Sequence, residues 1–165
     1  IMDQDIDEFV IPSINKYKEY DLKSVNFSDS ADDLQSKDDK KEEDQLKPLI
    51  NKIKKVLGDQ VKDVKASSRL KDSPSCIVAD SNDPTAKMQE MMKAMGQPSM
   101  GEVKPIFEIN PKHSIIKKLS KMKKIKSFDN TVNILFNQSL LMEGIKIEDP
   151  NDYVKNVNEV LSKAL

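Results

Sequence analysis

Residues 131–142, TVNILFNQSLLM, contain no charged side chain, and this stretch restricts the possible folds more than any other. On a helical projection Val132, Leu135, Phe136, Ser139 and Met142 share one face while Ile134 and Leu141 lie nearly opposite, so the helix wants apolar neighbours on two sides. One domain core supplies only one of them. Asn133, Asn137 and Gln138, with the short length, argue against a bilayer span, which needs roughly 20 apolar residues. A second helix follows, capped by Asp149 with Pro150 at its first position. Its stripe of Tyr153, Val154, Val157, Val160, Leu161, Ala164 and Leu165 runs on to residue 165 and needs a tether there. Periodicity leaves two arrangements open: the pair folds back on its own domain, or it forms half of a four-helix bundle with a second copy.

Upstream, Met88, Met91, Met92 and Met95 fall at i, i+3, i+4 and i+7. Asp83 can cap this short helix, Pro84 can open it and Gly96 can close it, with Lys87, Gln89, Glu90 and Lys93 on the opposite face. Five of the eight methionines lie between residues 88 and 100, the usage of a surface that repacks around irregular partners. A core-facing helix carries the same stripe, so periodicity alone does not separate the two.

The rest of the chain reads as α+β. Residues 1–27 suggest a short helix around Ile6, Phe9, Val10 and Ile14, then a strand through Leu22 and Val25. Residues 28–44 hold eight acids against three lysines, with Ala31 and Leu34 nearly alone as apolar residues, and read as an acidic flexible linker. The domain proper, residues 45–165, begins with a helical period at Leu46, Leu49, Ile50, Ile53, Val56 and Leu57, ended by Gly58. Strands at 61–66, 75–79 and 103–109 make a small three-stranded sheet that needs helices over one face. Asn110-Pro111 opens a helix over 111–126 that carries seven lysines and no acid. Ile115, Ile116, Leu119 and Met122 form its buried side, and with no interleaved aromatics the lysines read as a solvated face. A nucleic-acid site through Lys117, Lys118, Lys121, Lys123 and Lys124 is the alternative, which the net charge of −1 disfavours.

With His113 and Cys76 the sole histidine and cysteine, neither a metal site nor an intrachain disulfide is expected, and Cys76 beside Ile77 and Val78 reads as a small apolar strand residue. That usage fits a reducing cytoplasm. No signal peptide is visible, though a chain beginning with Ile1 reads as a piece of a longer protein. Four glycines and one histidine leave no phosphate loop, paired-carboxylate site or nucleophilic triad, so no catalytic residue and no cofactor is expected in this chain.

Several segments in one order, DIDEFV, VLGDQVKDVKASSRLKDSPSCIVAD, GEVKPIFEINPKH and EDPNDYVKNVNEVL, resemble the C-terminal domain of the heat-shock protein 90 chaperones over nearly the whole chain. The resemblance implies that residues 1–27 are the tail of the family's middle domain, and that the ATP- and Mg-binding N-terminal domain lies outside this chain. It implies a constitutive homodimer through the last two helices, which assigns Val132, Leu135, Phe136, Ser139, Met142, Tyr153, Val154, Val157, Val160, Leu161 and Leu165 to the dimer interface. It also implies contact with unfolded or partly folded client proteins through Met88, Met91, Met92 and Met95, on a helix facing the dimer cleft, and through Glu8 and Phe9. The family's Ile-Asp-Glu-Trp motif stands here as Ile6, Asp7, Glu8 and Phe9, so the indole N–H is lost. The ending SKAL, in place of the acidic Met-Glu-Glu-Val-Asp tail of cytosolic eukaryotic members, favours the bacterial type. A purely structural dimerisation domain is the remaining alternative.

Overall fold

The apolar period at Leu49, Ile53 and Leu57 forms the buried stripe of a long helix, α1 (Lys37–Leu57), with Leu46, Ile50 and Val56 half-buried beside it. The helix begins nine residues before the apolar period does, so residues 37–44 are helical and not the second half of a linker. Lys and Glu there are good helix formers, acids near the N-terminus suit the helix dipole, and a packed C-terminal half lets the helix propagate outward. Gly58, at φ 52°, takes the left-handed conformation that ends α1 and starts a 3-10 turn (Gly58–Gln60). The computed structural model describes residues 14, 16–21, 27, 37–81, 83–85, 88–89, 92, 95–96 and 103–164.

The three expected strands form one mixed sheet, and the chain is α+β as read. Strands β3 (Asp63–Ala66), β4 (Ser75–Val78) and β5 (Ile106–Ile109) lie in the order β3-β5-β4. The central strand is parallel to β3, with Val64 beside Phe107, and antiparallel to β4, with Ile77 on its other side. Phe107 and Ile109 point into the main core, while Ile106 and Glu108 take the other face, which is also buried. A carboxylate there needs partners: Ser67 Oγ donates to Glu108 Oε2 at 2.8 Å and Arg69 Nη2 donates to Oε1 at 2.9 Å. Arg69 Nη2 also donates to the Phe27 carbonyl at 3.0 Å, and Phe27 forms a parallel bridge with Ala79 just beyond β4.

Ahead of Phe27, β1 (Lys16–Tyr17) and β2 (Tyr20–Asp21) make a small hairpin whose turn holds Lys18 at φ 56°. Ile14 is exposed and outside any helix. The expected helix through Ile6, Phe9 and Val10 and the strand through Leu22 and Val25 lie outside the described residues.

Three further helices are described: α2 (Ser114–Ser120), α3 (Ile125–Met142) and α4 (Pro150–Ala164). The lysine-rich helix is therefore much shorter than 111–126. Asn110 does not cap it, because its Oδ1 accepts from Lys112 N in a local turn and its Nδ2 donates to the carbonyls of Lys71 and Ser73, tying down the β3–β4 loop. His113 caps α2 instead, Nδ1 accepting from Ile115 N at 3.2 Å. Ile116 and Leu119 are buried as expected and Met122 is half-buried, but Ile115 is exposed. The uncharged helix in turn starts six residues earlier than residue 131. Between α3 and α4, Gly144 at φ 74° closes α3 through Ile145 N to Leu140 O and Gly144 N to Leu141 O, both 3.0 Å. Asp149 then caps α4 through Asp152 N at 3.0 Å with Pro150 in the first position, as the sequence implies. Among the described residues, no helix is long and apolar enough to cross a membrane.

Candidate functional site

The helical hairpin α3–α4 is built against β4 and α1 on one side and is open on the other. Val132, Leu135, Phe136 and Ser139, expected at an interface between copies, are instead buried in the chain's own core. Phe136 meets Phe107 edge to face with ring centroids 5.7 Å apart, and Ser139 Oγ shares a hydrogen bond with Ser75 Oγ at 3.1 Å while donating to Leu135 O at 2.9 Å. Val132, Leu135 and Ser139 have almost no surface left to offer a partner, and Phe136 little. The helix is apolar on two sides, and the sheet takes the Val132–Ser139 side because β4 lies there.

What stays accessible comes from the ends of α3 and from α4. Met142 is 70% exposed, Val154 53% and Leu161 51%, with Leu141 exposed as well, while Tyr153, Val157 and Val160 are half-buried. Leu165 lies outside the described residues. The two helices are clasped by Glu159, which accepts from Lys126 Nζ at 3.1 Å and from Asn130 Nδ2 at 2.9 Å, and by Lys163 Nζ donating to Ser127 Oγ at 3.2 Å. The Lys126 contact, helped by Asn130, holds the Glu159 carboxyl below the usual glutamate range. Reading the sequence as a list of apolar stripes missed this polar clasp; Asn130 and Glu159 lie 29 residues apart, and no periodicity connects them.

The methionine segment is capped differently from expectation. Thr85 Oγ1 accepts from Met88 N at 3.2 Å, whereas Asp83 is engaged by Lys62 Nζ at 2.8 Å. Lys62 also bridges to Asp80 at 2.6 Å, and these two carboxylates together raise its pKa. Gly96 at φ 71° suits the expected end. Met88 and Met92 are half-buried and Met95 is 65% exposed; Met91, Glu8 and Phe9 lie outside the described residues. Gln89 is the anchor, its Nε2 donating to Pro84 O at 3.3 Å and to Val103 O at 3.4 Å.

Gln89 also lines an open groove of about 820 Å³ that runs past Val103 to α3 and the α3–α4 loop. Phe136 and Leu140 give it apolar lining, Asn133 and Asn137 add uncharged donors and acceptors, and Asp59, Lys104, Lys146, Glu148, Asp149 and Asp152 place charges along its walls. Such a lining takes apolar side chains and peptide groups together. Among the described residues no three His, Cys, Asp or Glu side chains converge on one point as a metal site requires. Cys76, half-buried on β4 opposite Glu108, is pushed up to about 12 by burial, with the Glu108 charge adding to the effect.

Comparison with known proteins matches the Hsp90 protein family over residues 1–165. Chaperone protein HtpG of Treponema denticola is 43% identical over 166 residues, covering 98% of this chain and 26% of that protein. Chaperone protein HtpG of Treponema pallidum is 38% identical over 167 residues, covering 99% and 26%. The same-named protein of Aliarcobacter butzleri is 41% identical over 165 residues, again covering 99% and 26%. This chain thus spans about a quarter, 26%, of the length of these curated relatives.

Proposed function

Because the chain belongs to the Hsp90 protein family, we propose that it is the dimerisation and client-contact part of a cytoplasmic, ATP-dependent chaperone whose nucleotide chemistry resides in the remaining length of the protein. The observation that carries this reading is the pairing of two unlike surfaces on one small domain. On α3–α4, Leu141, Met142, Val154 and Leu161 stay accessible after the protomer has filled its own core. Beside the groove, Gln89 ties the methionine segment to Val103, with Met95 largely in solvent.

The first surface supports a symmetric pairing of α3 and α4 with their copies, now through Met142, Val154, Leu161 and the half-buried Tyr153, Val157 and Val160. The second supports reversible contact with the apolar segments of partly folded proteins, because thioether chains adapt and the groove's amides satisfy peptide groups without demanding a sequence. Residues 1–27 remain, in this reading, the tail of a preceding domain.

Light scattering on the purified chain, with binding of a labelled unfolded protein measured on the same sample, tests both halves. A dimer mass at micromolar concentration and client affinity that drops in a Met92→Ser, Met95→Ser variant are expected. A monomer sinks the first half; unchanged client affinity sinks the second.

A further inference from the structure

The seven lysines of residues 111–126 are not absorbed by this function. Lys126 is held by Glu159, and Lys112 has contacts of its own. Lys117, Lys118, Lys121, Lys123 and Lys124 are exposed and form no ion pair with the described residues. They are crowded into the end of α2 and the turn into α3, with no acid from residue 111 to residue 128 to offset their repulsion. Ile125, 78% exposed, stands among them. Next to this cluster α1, α2 and α3 enclose a groove of about 360 Å³ in which Leu46, Leu49, Pro111 and Phe128 supply apolar lining and Lys52 and Lys117 supply charge.

We propose that this lysine-edged groove is a docking site for an acidic, amphipathic polypeptide segment, one that places apolar side chains on Leu46, Leu49 and Phe128 and carboxylates on Lys52, Lys117 and the lysines beyond. Charge complementarity selects a polyanion, because each incoming carboxylate relieves repulsion among lysines that form no ion pair with the described residues. The apolar lining selects among polyanions. Nucleic acid has no aliphatic side chain for the groove, and among the described residues no exposed aromatic ring flanks the lysines for base stacking. A lipid surface cannot enter a concavity between helices, and among the described residues beside the lysines it meets Ile115 and Ile125. The site lies between α1, α2 and the start of α3, apart from the methionine segment and from Leu141, Met142, Val154 and Leu161, so it stands or falls independently of the client and dimer readings.

The test is fluorescence anisotropy of the whole chain with a labelled peptide of mixed glutamate and leucine, against an all-glutamate peptide of equal charge, oligothymidylate, and vesicles containing phosphatidylglycerol. The mixed peptide should bind at least about tenfold more tightly than the all-glutamate one, and should weaken by at least about tenfold between ~0.05 and ~0.5 M salt, since exposed charge pairs are screened. Lys52→Glu with Lys117→Glu should cost at least about tenfold in affinity, while Lys155→Glu on α4 leaves it unchanged. If the charge reversals fail to fold, the Lys52→Gln, Lys117→Gln pair reads the same contact. Equal affinity for the two peptides, tighter binding of oligothymidylate or vesicles, indifference to the Lys52 and Lys117 changes, or no binding of the mixed peptide at all would each overturn the proposal. So would binding that appears only after the acids of residues 29–44 are neutralised, which would make the chain's own acidic run the occupant.

Discussion

Helices α3 and α4 are antiparallel neighbours of similar length, both striped with apolar residues, yet they are committed to opposite tasks. Val132 and Leu135 of α3 are sealed into the core and Phe128 and Phe136 are buried beside them, whereas α4 buries one described side chain, that of Asn156, and leaves Val154 and Leu161 half in water. The difference shows that apolar content does not say which neighbour covers it. The sheet covers whichever stripe β4 happens to face, and only the remainder is available to another molecule.

The strongest test of this contrast is Phe136→Ala. It removes the edge-to-face partner of Phe107 and opens a cavity beside the central strand, so denaturant unfolding should show a loss of about 3–5 kcal/mol. An effect as small as that of an exposed substitution would mean that α3 is no more committed than α4. Next in size is Leu161→Asp, which should leave unfolding of the separated protomer within about 0.5 kcal/mol of the parent yet weaken self-association by at least about 100-fold. Sedimentation across a concentration series reads the association. A charge placed at Leu135 instead should unfold the protomer, so the two positions separate folding from pairing.

Smaller still is Met95→Ser, expected to change stability by no more than about 0.5 kcal/mol, because the side chain is already mostly solvated. A loss of several kcal/mol would place it in a core. The smallest effect concerns the clasp between the helices. Glu159 is held below the ordinary glutamate range, so its contribution to stability is complete above that range and fades as pH falls through the lowered folded-state value. Thermal unfolding followed from neutral pH down to acid should lose part of its pH dependence in Glu159→Gln. An unaltered profile would detach Glu159 from the α3–α4 contact.

Much of the fold was legible because its signals are local. Asp149-Pro150 announces a helix start, Gly58 and Gly96 sit where left-handed backbone is required, and the three expected strands form. The errors arose where a residue's partner is distant. Asn110-Pro111 looks like a cap, but the asparagine amide is spent on Lys71 and Ser73. Asp83 looks like a cap, but Lys62 holds it, 21 residues away in sequence, and Thr85 takes the position. For the candidate site, the α3–α4 hairpin and the methionine segment were both visible as stripes. The side of α3 that remains exposed was not, because it is decided by a sheet whose three strands are spread over residues 63–109. Residues 37–44 read as linker on low apolar content, whereas the helix begins at Lys37, because a charged segment can extend a helix whose later turns are packed.

The contact of Arg69 with both Phe27 and Glu108 has a mechanical meaning. A pull on the chain ahead of Phe27 is delivered sideways through the Phe27–Ala79 bridge and the guanidinium into β4 and the central strand, without first travelling the covalent route through α1. Arg69 acts as the coupling pin of that load path, and cutting it returns the strain to the length of α1.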